Sequence, residues 1–140
     1  MTKYLLDTDI CIFLLRKKNS IAEKIASVGT ENCFVSTVTI GELIYGAHNS
    51  SSFEKHKHDA DKIMGIVEVL PIFESLDVYG REKARLRRAG NLIPELDLLI
   101  ATTAVHHGMT LVTNNTKHMS RIDGIKLENW TKAEDNEFVK

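Results

Sequence analysis

The sequence has little cysteine, no excess charge of one sign and no long apolar run, and each absence excludes a class of protein. No apolar run approaches the roughly 20 residues that a membrane span needs. No secretory signal precedes the first apolar stretch, so we expect a cytoplasmic protein with no membrane association. The two cysteines, Cys11 and Cys33, lie in apolar surroundings. This setting favours two reduced thiols in a core over a disulfide.

The charge balance limits how this chain could bind a polyanion. Eighteen Lys and Arg residues stand against nineteen Asp and Glu residues, and the formal net charge is −1. The chain is therefore no general polycation, and nucleic-acid binding would need a local basic patch or a bound metal ion. Its 140 residues and 43% hydrophobic content are those of one ordinary globular domain.

The stretch that opens the chain joins a short apolar run to two acids. Residues 4–6 are predicted to form a buried strand, because the run is short, apolar and followed at once by polar residues. Thr8 and Asp9 then begin a predicted helix that runs to about Asn19. Asp7 would therefore stand at the carboxyl end of a strand, which is where open α/β sheets bind their ligands.

The rest of the chain alternates between predicted strands and helices. Ser20 and Glu23 form a capping-box pattern for the second helix, and Pro71 indicates an edge strand or a bulge. The alternation predicts one α/β/α sandwich around a parallel sheet of about five strands. We assign this domain to residues 1–131 and expect the charged tail, 132–140, to be frayed. Strands are predicted at residues 4–6, 32–36, 69–73, 110–113 and 125–129, and helices at 8–19, 21–28, 40–47, 53–67, 76–89 and 96–105.

Several acids and one amide fall at the same predicted edge of the sheet. Glu42 begins the third helix, Asp97 begins the most apolar helix, and Asn115 follows the fourth strand. Each acid alone could be a helix-start charge favoured by the dipole. Asp7 and Asp97, however, have apolar surroundings and no basic neighbour in sequence, and clustered carboxylates repel one another unless a cation intervenes. Oxygen ligands select Mg²⁺ or Mn²⁺, which can activate water and neutralise charge on a phosphodiester.

These residues carry a resemblance to a known family. Five motifs occur in the family's order across residues 3 to 130, and the chain resembles a PIN-domain ribonuclease of the VapC toxin type. The resemblance implies the PIN α/β/α sandwich, an endoribonuclease activity that depends on Mg²⁺ or Mn²⁺, and inhibition by a VapB-type antitoxin. The motifs lie at residues 6–9 (LDTD), 39–46 (TIGELIYG), 97–101 (DLLIA), 111–115 (LVTNN) and 127–130 (LENW).

The resemblance also assigns roles to single residues. Asp7, Glu42 and Asp97 match the metal-binding acids of the family, and Thr8 matches its small hydroxyl residue beside the first acid. Asp9 stands where many relatives have Asn, so its role is expected to be secondary. Many PIN domains have a fourth acid where this chain has Asn115, which leaves one fewer anionic ligand for a second ion. Asn115 could still ligate through its carbonyl or orient a water on the metal.

The expected binding partners rest on the resemblance, on two basic runs and on an apolar set of residues in the third helix. A structured RNA, tRNA in particular, is the implied substrate. The basic run at residues 81–88 could contact RNA or an antitoxin, or it could be a solvated helix face, and residues 16–18 have the same alternatives. The apolar residues around Ile40, Leu43, Ile44 and Tyr45 exceed what one helix needs, so we expect a homodimer.

Alternatives to the ribonuclease interpretation stay open at this stage. The same fold could serve a DNase, and metal with carboxylates could serve another phosphohydrolase. A catalytically weak or inactive PIN-like RNA-binding module is the alternative of a different class, and Asn115 is its only hint in the sequence. Among the histidines, His118 alone is expected near substrate, while His106 and His107 suit the C-terminal end of a helix.

Overall fold

A sheet of five parallel strands forms the centre of the fold. In the computed structural model, which describes residues 1–131, the spatial order of the strands is β3-β2-β1-β4-β5, so β1 occupies the middle. Every neighbouring pair is parallel. The predicted α/β class is therefore confirmed, and the expected tail at 132–140 lies outside the described residues. The strands are β1 (Tyr4–Leu6), β2 (Cys33–Ser36), β3 (Glu68–Leu70), β4 (Thr110–Val112) and β5 (Lys126–Glu128).

Helices cover both faces of this sheet, and the alternation of strand side chains decides which core each residue joins. Leu6 packs in one cluster with Ile10, Ile21 and Leu43, whereas its neighbour Leu5 packs in the other. Successive strand residues point to opposite faces, so one short strand supplies both cores. The helices are α1 (Thr8–Leu15), α2 (Ile21–Val28), α3 (Thr37–Asn49), α4 (Phe53–His56), α5 (Asp59–Met64), α6 (Leu76–Arg88), α7 (Glu95–His107) and α8 (Thr116–Met119).

Several local predictions about helices were wrong. The third helix begins at Thr37 rather than at residue 40, so Glu42 lies beyond its first turn instead of beginning it. The first helix ends at Leu15, because the chain turns through left-handed conformations at Lys17, Asn19 and Ser20. Ser20 itself is left-handed and makes no side-chain cap, so the expected capping box is absent. The polar helix predicted over 53–67 is two short helices, α4 and α5, and α8 was not predicted.

The break between α4 and α5 has a packing cause. The only buried residues of the two helices are Ala60 and Ile63, both in α5, so no continuous apolar stripe holds the segment as one helix. Most helical stability in proteins comes from such a stripe rather than from intrinsic propensity. Composition favoured one long polar helix here, and the tertiary packing did not support it.

Pro71 and the two cysteines lie where the sequence pattern predicted. Pro71 directly follows β3, which is an edge strand paired only with β2, as predicted. Cys11 and Cys33 are buried free thiols, and burial raises the pKa of both, that of Cys33 to about 11. Within residues 1–131, no helix has the length and apolar character that crossing a membrane requires.

Candidate metal centre

The first acid, Asp7, is held at the junction of β1 and α1. It caps α1 by accepting a hydrogen bond from its neighbour, with 2.8 Å between Asp7 Oδ1 and the backbone N of Thr8. Its other carboxylate oxygen, Oδ2, accepts a hydrogen bond of 2.8 Å from the hydroxyl of Thr113. Leu6 pairs with Val112 in the sheet, so the next residues along the two strands meet at the carboxyl edge. Asp7 is only 5% exposed, and both carboxylate oxygens have fixed partners.

Glu42 reaches the same edge from α3 through a hydroxyl relay. The Oγ1 atom of Thr8 donates a hydrogen bond of 2.6 Å to Glu42 Oε1. Thr8 Oγ1 also lies 3.0 Å from Thr39 Oγ1. A threonine hydroxyl carries one proton, so with Thr8 donating to Glu42 the buried Thr39 hydroxyl donates to Thr8. Thr8 thus links two acids of the site. Its backbone N–H donates to Asp7, and its side-chain hydroxyl donates to Glu42.

Asp9 and Asp97 add two further carboxylates to this edge of the sheet. We call the four residues Asp7, Asp9, Glu42 and Asp97 the acidic site. Asp9 Oδ2 accepts a hydrogen bond of 3.0 Å from the backbone N–H of Asn114. Its second oxygen, Oδ1, is buried and has no hydrogen-bond partner among residues 1–131. Asp97 is half-buried in the first turn of α7. A buried carboxylate oxygen without a donor is an acceptor that a cation could satisfy.

Electrostatic effects show that these carboxyls disturb one another. Burial and then the charge of Asp9 raise the pKa of Asp7 to about 7, and the charge of Asp97 adds to the rise. Burial also raises the pKa of Asp9, with a smaller rise from Asp97. The pKa of Asp97 is raised by its own burial, while His118 opposes that rise. The donors are all oxygen atoms, and their repulsion would be relieved by a hard divalent cation such as Mg²⁺ or Mn²⁺.

Asn115 is attached to the acidic site through its backbone. Its N–H donates a hydrogen bond of 2.9 Å to Thr113 Oγ1, the same hydroxyl that donates to Asp7. The Asn115 amide nitrogen lies 3.4 Å from Nδ1 of His118. In this structure the Asn115 side chain therefore contacts the histidine that faces Asp97.

Two threonines at the site were missed from the sequence. Thr113 joins Asp7 to Asn115, and Thr39 supports Thr8. A signal for Thr113 was available, because it directly follows an apolar strand and precedes two asparagines. Its partner depends on β1 lying beside β4, which the sequence pattern does not specify. Thr39 lies in α3, a turn before Glu42, and looked like an ordinary helix residue.

A second group of metal-ligating side chains lies away from the acidic site. One ligand atom from each of Glu74, His106 and His107 lies within 4.8 Å of the others, and we call this the histidine cluster. His106 is nine residues beyond Asp97 on α7, which is about 13 Å along a helix axis. Glu74 and His106 are exposed. The sequence did not predict this grouping, and it shares no residue with the acidic site.

Part of the basic run on α6 is engaged in ion pairs: Arg81, Lys83 and Arg85 are paired, and Arg87 and Arg88 form no ion pair within residues 1–131. Arg85 makes two hydrogen bonds to the carboxylate of Glu82, at 2.8 and 2.9 Å, and lies 3.3 Å from Asp123. Lys83 pairs with Glu95 across to α7. These contacts support the interpretation of a neutralised helix face for residues 81–85 only.

Comparison with known proteins gives consistent similarities. The family model of the PIN domain matches residues 4–125. The tRNA(fMet)-specific endonuclease VapC of Salmonella typhimurium is 33% identical over 131 residues, covering 93% of this chain and 99% of that protein. Ribonuclease VapC2 of Rickettsia felis is also 33% identical, over 92% of this chain and 98% of its own. The structure of DNA-bound VapBC from Salmonella typhimurium has a TM-score of 0.85 at 34% identity, covering 93% of this chain and 99% of that one.

Proposed function

The chain belongs to the PIN-domain family, and from this premise we propose that it is an endoribonuclease toxin of the VapC type, with its nuclease unit in residues 1–131. The observation that carries the proposal is the acidic site, where burial raises the pKa values of Asp7, Asp9 and Asp97 and the charges of neighbouring carboxylates add to the rise at Asp7 and Asp9. Such an arrangement is costly for stability, and the cost has a use if a cation is bound there.

Three acids would hold the divalent ion in this proposal. Asp7, Glu42 and Asp97 are the ligands, and Mg²⁺ is the ion that the oxygen donors suit best, with Mn²⁺ a close substitute. Such an ion lowers the pKa of water and neutralises charge that develops on a phosphodiester. The role of Thr8 is to hold Glu42 in place by its 2.6 Å hydrogen bond.

The other polar residues support the acids rather than react. Thr113 donates to Asp7 and accepts from the backbone of Asn115, so it fixes one carboxylate oxygen and the start of α8 together. Asp9 contributes negative charge and one buried oxygen without a donor among the described residues. His118 lies near enough to Asp97 to oppose the rise in the pKa of that carboxyl, and it contacts Asn115. Asn115 orients this histidine.

The substrate in this proposal is a tRNA. One relative that matches over nearly its whole length is named a tRNA(fMet)-specific endonuclease. Structured RNA is recognised by shape and by unpaired bases rather than by groove readout. A tRNA substrate and the two reduced buried thiols both agree with a cytoplasmic location, which we include in the proposal.

The protein partners in this proposal are a VapB-type antitoxin and a second copy of the chain. Several similar structures are of VapBC complexes, including those from Rickettsia felis and Haemophilus influenzae. On α3, Ile44 is 48% exposed and Tyr45 is 67% exposed, although Leu43 between Glu42 and Ile44 is buried. These two exposed apolar side chains are the surface that we assign to the homodimer.

The dimer surface can be tested with one substitution. Tyr45→Glu places a charge on the exposed face of α3 without touching the core, so we expect a folded monomer. Light scattering at micromolar concentration measures the mass, and circular dichroism checks the fold. A dimer of unchanged stability in this variant would remove Tyr45 from the interface.

The activity itself is tested by incubating the purified protein, freed of antitoxin, with total small RNA and Mg²⁺. We expect discrete cuts in one RNA, which are lost in EDTA and in Asp7→Ala. Folded protein that binds RNA without cutting it would instead support the alternative of an inactive RNA-binding module. Cleavage of DNA in preference to RNA would indicate a DNase on the same fold.

A further inference from the structure

The histidine cluster plays no part in the function described so far. It joins the last turn of α7 to a single 3₁₀ turn, Phe73–Ser75, that leads into α6. One ligand atom from each of Glu74, His106 and His107 lies within 4.8 Å of the others. The fold therefore brings two imidazoles and a carboxylate together from two separate segments of the chain.

A buried contact between hydroxyls places these two segments side by side. Ser75 is buried, and its Oγ lies 3.2 Å from Oγ1 of the fully buried Thr103 on α7. His106 and His107 follow Thr103 by three and four residues, so they lie one helical turn further along the same side of α7. Glu74 directly precedes Ser75 and is therefore held beside the two histidines by a contact in the core.

One ring nitrogen of the cluster is buried at a cost. Nε2 of His107 is inaccessible to water and has no hydrogen-bond partner among residues 1–131. A buried polar atom that makes no hydrogen bond destabilises the fold. A neutral imidazole has one acceptor nitrogen, which can bind a metal ion instead of a hydrogen. This nitrogen is an observation separate from the closeness of the three side chains, and it also points to a ligand.

Ordinary ion pairing does not explain the cluster. His56 and His58 each lie directly against one carboxylate oxygen, at 3.0 and 3.5 Å. In the described part of the chain, neither His106 nor His107 forms an ion pair or a hydrogen bond with Glu74, although their ligand atoms are within 4.8 Å. The dipole of α7 favours histidines at its C-terminal end, but it does not draw a carboxylate there. A cation among the three groups accounts for both the histidines and the acid.

We propose that the histidine cluster binds one Zn²⁺ ion, with Glu74, His106 and His107 as ligands and water in the fourth position. Zn²⁺ takes imidazole and carboxylate ligands in a tetrahedral arrangement, whereas Mg²⁺ takes oxygen ligands. Bonds of about 2.0–2.1 Å place tetrahedral ligand atoms about 3.4 Å apart, so the three atoms need to approach by no more than about 1.4 Å. Glu74 and His106 are exposed, so their side chains can rotate to make this adjustment.

The bound ion acts as a cross-link in this proposal and takes no part in RNA cleavage. It joins the turn before α6 to the end of α7, and it stabilises the folded chain because the three ligands converge only in the folded state. His106 lies about 13 Å along the axis of α7 from Asp97 of the acidic site. The proposal is therefore independent of the proposed function.

The first test counts zinc ions by calorimetry. Protein without a histidine tag is titrated with Zn²⁺ in excess Mg²⁺, which competes for the acidic site. His106→Ala/His107→Ala is compared with His56→Ala/His58→Ala, which removes two other imidazoles that lie against carboxylates. We expect the wild type and this control to bind one more Zn²⁺ per chain than the cluster variant does. Glu74→Gln should weaken that binding by more than about 10-fold, because loss of a ligand should exceed loss of an outer support.

The second test locates the ion by NMR of the imidazole rings. The ring signals of His106 and His107 should shift as the first equivalent of Zn²⁺ is added, while those of His56 and His58 stay in place. The melting temperature of the wild type should also rise by roughly 8 °C when free Zn²⁺ is about 100-fold above its Kd. The cluster variant should lack this part of the rise.

The outcomes separate the zinc site from the nuclease. Equal Zn²⁺ binding by the wild type and the cluster variant would overturn the assignment, and so would an equal loss in the control. Zinc binding that survives Glu74→Gln unchanged would overturn the three-ligand site. If the cluster variant melts lower than the wild type without metal, the NMR titration of the wild type decides, and unshifted signals of His106 and His107 would overturn the proposal. A wild type that binds Zn²⁺ here but cuts no RNA would overturn the proposed function alone.

Discussion

The two ends of α7 each carry groups that could bind a cation, and they differ in almost every other respect. At the first turn, Asp97 joins three carboxylates from two other helices and the end of a strand, and Asp7 among them is nearly inaccessible to water. At the last turn, the exposed Glu74 and His106 meet the half-buried His107, whose Nε2 is buried without a hydrogen-bond partner among the described residues. The acidic site is all oxygen, whereas the histidine cluster mixes imidazole with one carboxylate.

The difference shows that closeness of possible ligands is a weak criterion for function. Each end of α7 has a simple helix-dipole explanation, with acids at the N-terminus and histidines at the C-terminus. The acidic site goes beyond this explanation, since Asp7 is buried with Asp9 and Asp97 half-buried near it, and burial with the charge of Asp9 raises the pKa of Asp7 to about 7. Burying like charges is unfavourable, so a fold that retains them indicates a compensating ligand.

The largest expected effect comes from removing the charge at the first end of α7. Asp97→Asn should lower RNA cleavage by more than about 100-fold, because loss of a ligand should cost more than loss of an outer support does. Glu95→Gln is the matched control, since Glu95 lies in the same first turn but is exposed and pairs with Lys83. We expect the control to cleave at nearly the wild-type rate. Equal losses in both variants would mean that only the helix start, and not Asp97, matters.

The burial of Asp7 predicts a pH-dependent gain in stability when its charge is removed. Its pKa is raised on folding, so the folded protein is penalised as pH rises from about 4 to about 7, and the full penalty is present above that range. Metal-free Asp7→Asn should therefore melt roughly 5 °C above the wild type at about pH 8, and the gap should narrow at about pH 5.

Melting curves in EDTA measure this gap, and Asp61→Asn serves as an exposed control. Adding Mn²⁺ should stabilise the wild type and leave Asp7→Asn unchanged, because the ion replaces the lost proton as the compensating charge. An Asp7→Asn variant that is less stable than the wild type at about pH 8 would contradict the inference that the buried charge of Asp7 destabilises the metal-free fold.

A smaller effect is expected from the hydroxyl that supports Asp7. Thr113→Val keeps the shape of the fully buried side chain but removes the hydrogen bonds to Asp7 Oδ2 and from the Asn115 backbone. Activity and divalent-ion affinity should fall about 10-fold, the lower end of outer-support effects. Thr102→Val is the control, because Thr102 is equally buried and donates only within α7. A similar loss of activity in both would indicate a packing effect instead.

The smallest effect is expected at the far end of α7. His106→Ala/His107→Ala removes both imidazoles of the histidine cluster, and we expect cleavage and its Mg²⁺ dependence to stay within about twofold of the wild type. Metal titrations of the cleavage rate make the comparison. A loss of Mg²⁺ dependence in this variant would show that the histidine cluster contributes to metal-dependent cleavage at the acidic site.

Much of the acidic site could be predicted from the sequence because acids and apolar strands have a local pattern. Asp7 follows a strand and Asp97 lies in the first turn of α7, and parallel sheets collect such positions at one edge. Glu42 was expected to begin the third helix but lies beyond the first turn of α3. The burial of one Asp9 oxygen without a donor among the described residues could not be predicted, because no local pattern shows it. Thr113 and Thr39 were missed because their partners lie on other elements.

The basic residues show the same limit. The sequence presents the runs at 16–18 and 81–88 as equivalent clusters of charge. In the structure three cations of the second run pair with Asp77, Glu82 and Glu95, and Arg16 and Lys18 of the first run line a groove with Lys55 and Lys62. The pairs with Asp77 and Glu82 form within α6 at helical spacing, whereas the pair with Glu95 depends on how α7 packs against α6. A count of charges along the chain therefore did not separate the two runs.

The sequence by itself determined the order of strands and helices, the parallel sheet and the acids at its carboxyl edge, because apolar periodicity and chain punctuation are local properties. Tertiary structure alone decided which hydroxyl holds Asp7, where the polar segment after α3 breaks, and which cations stay without a partner among the described residues. Those outcomes depend on the register of β1 against β4 and on how α3 packs with its neighbours. Contacts between residues far apart in the chain form only when the whole sheet is assembled.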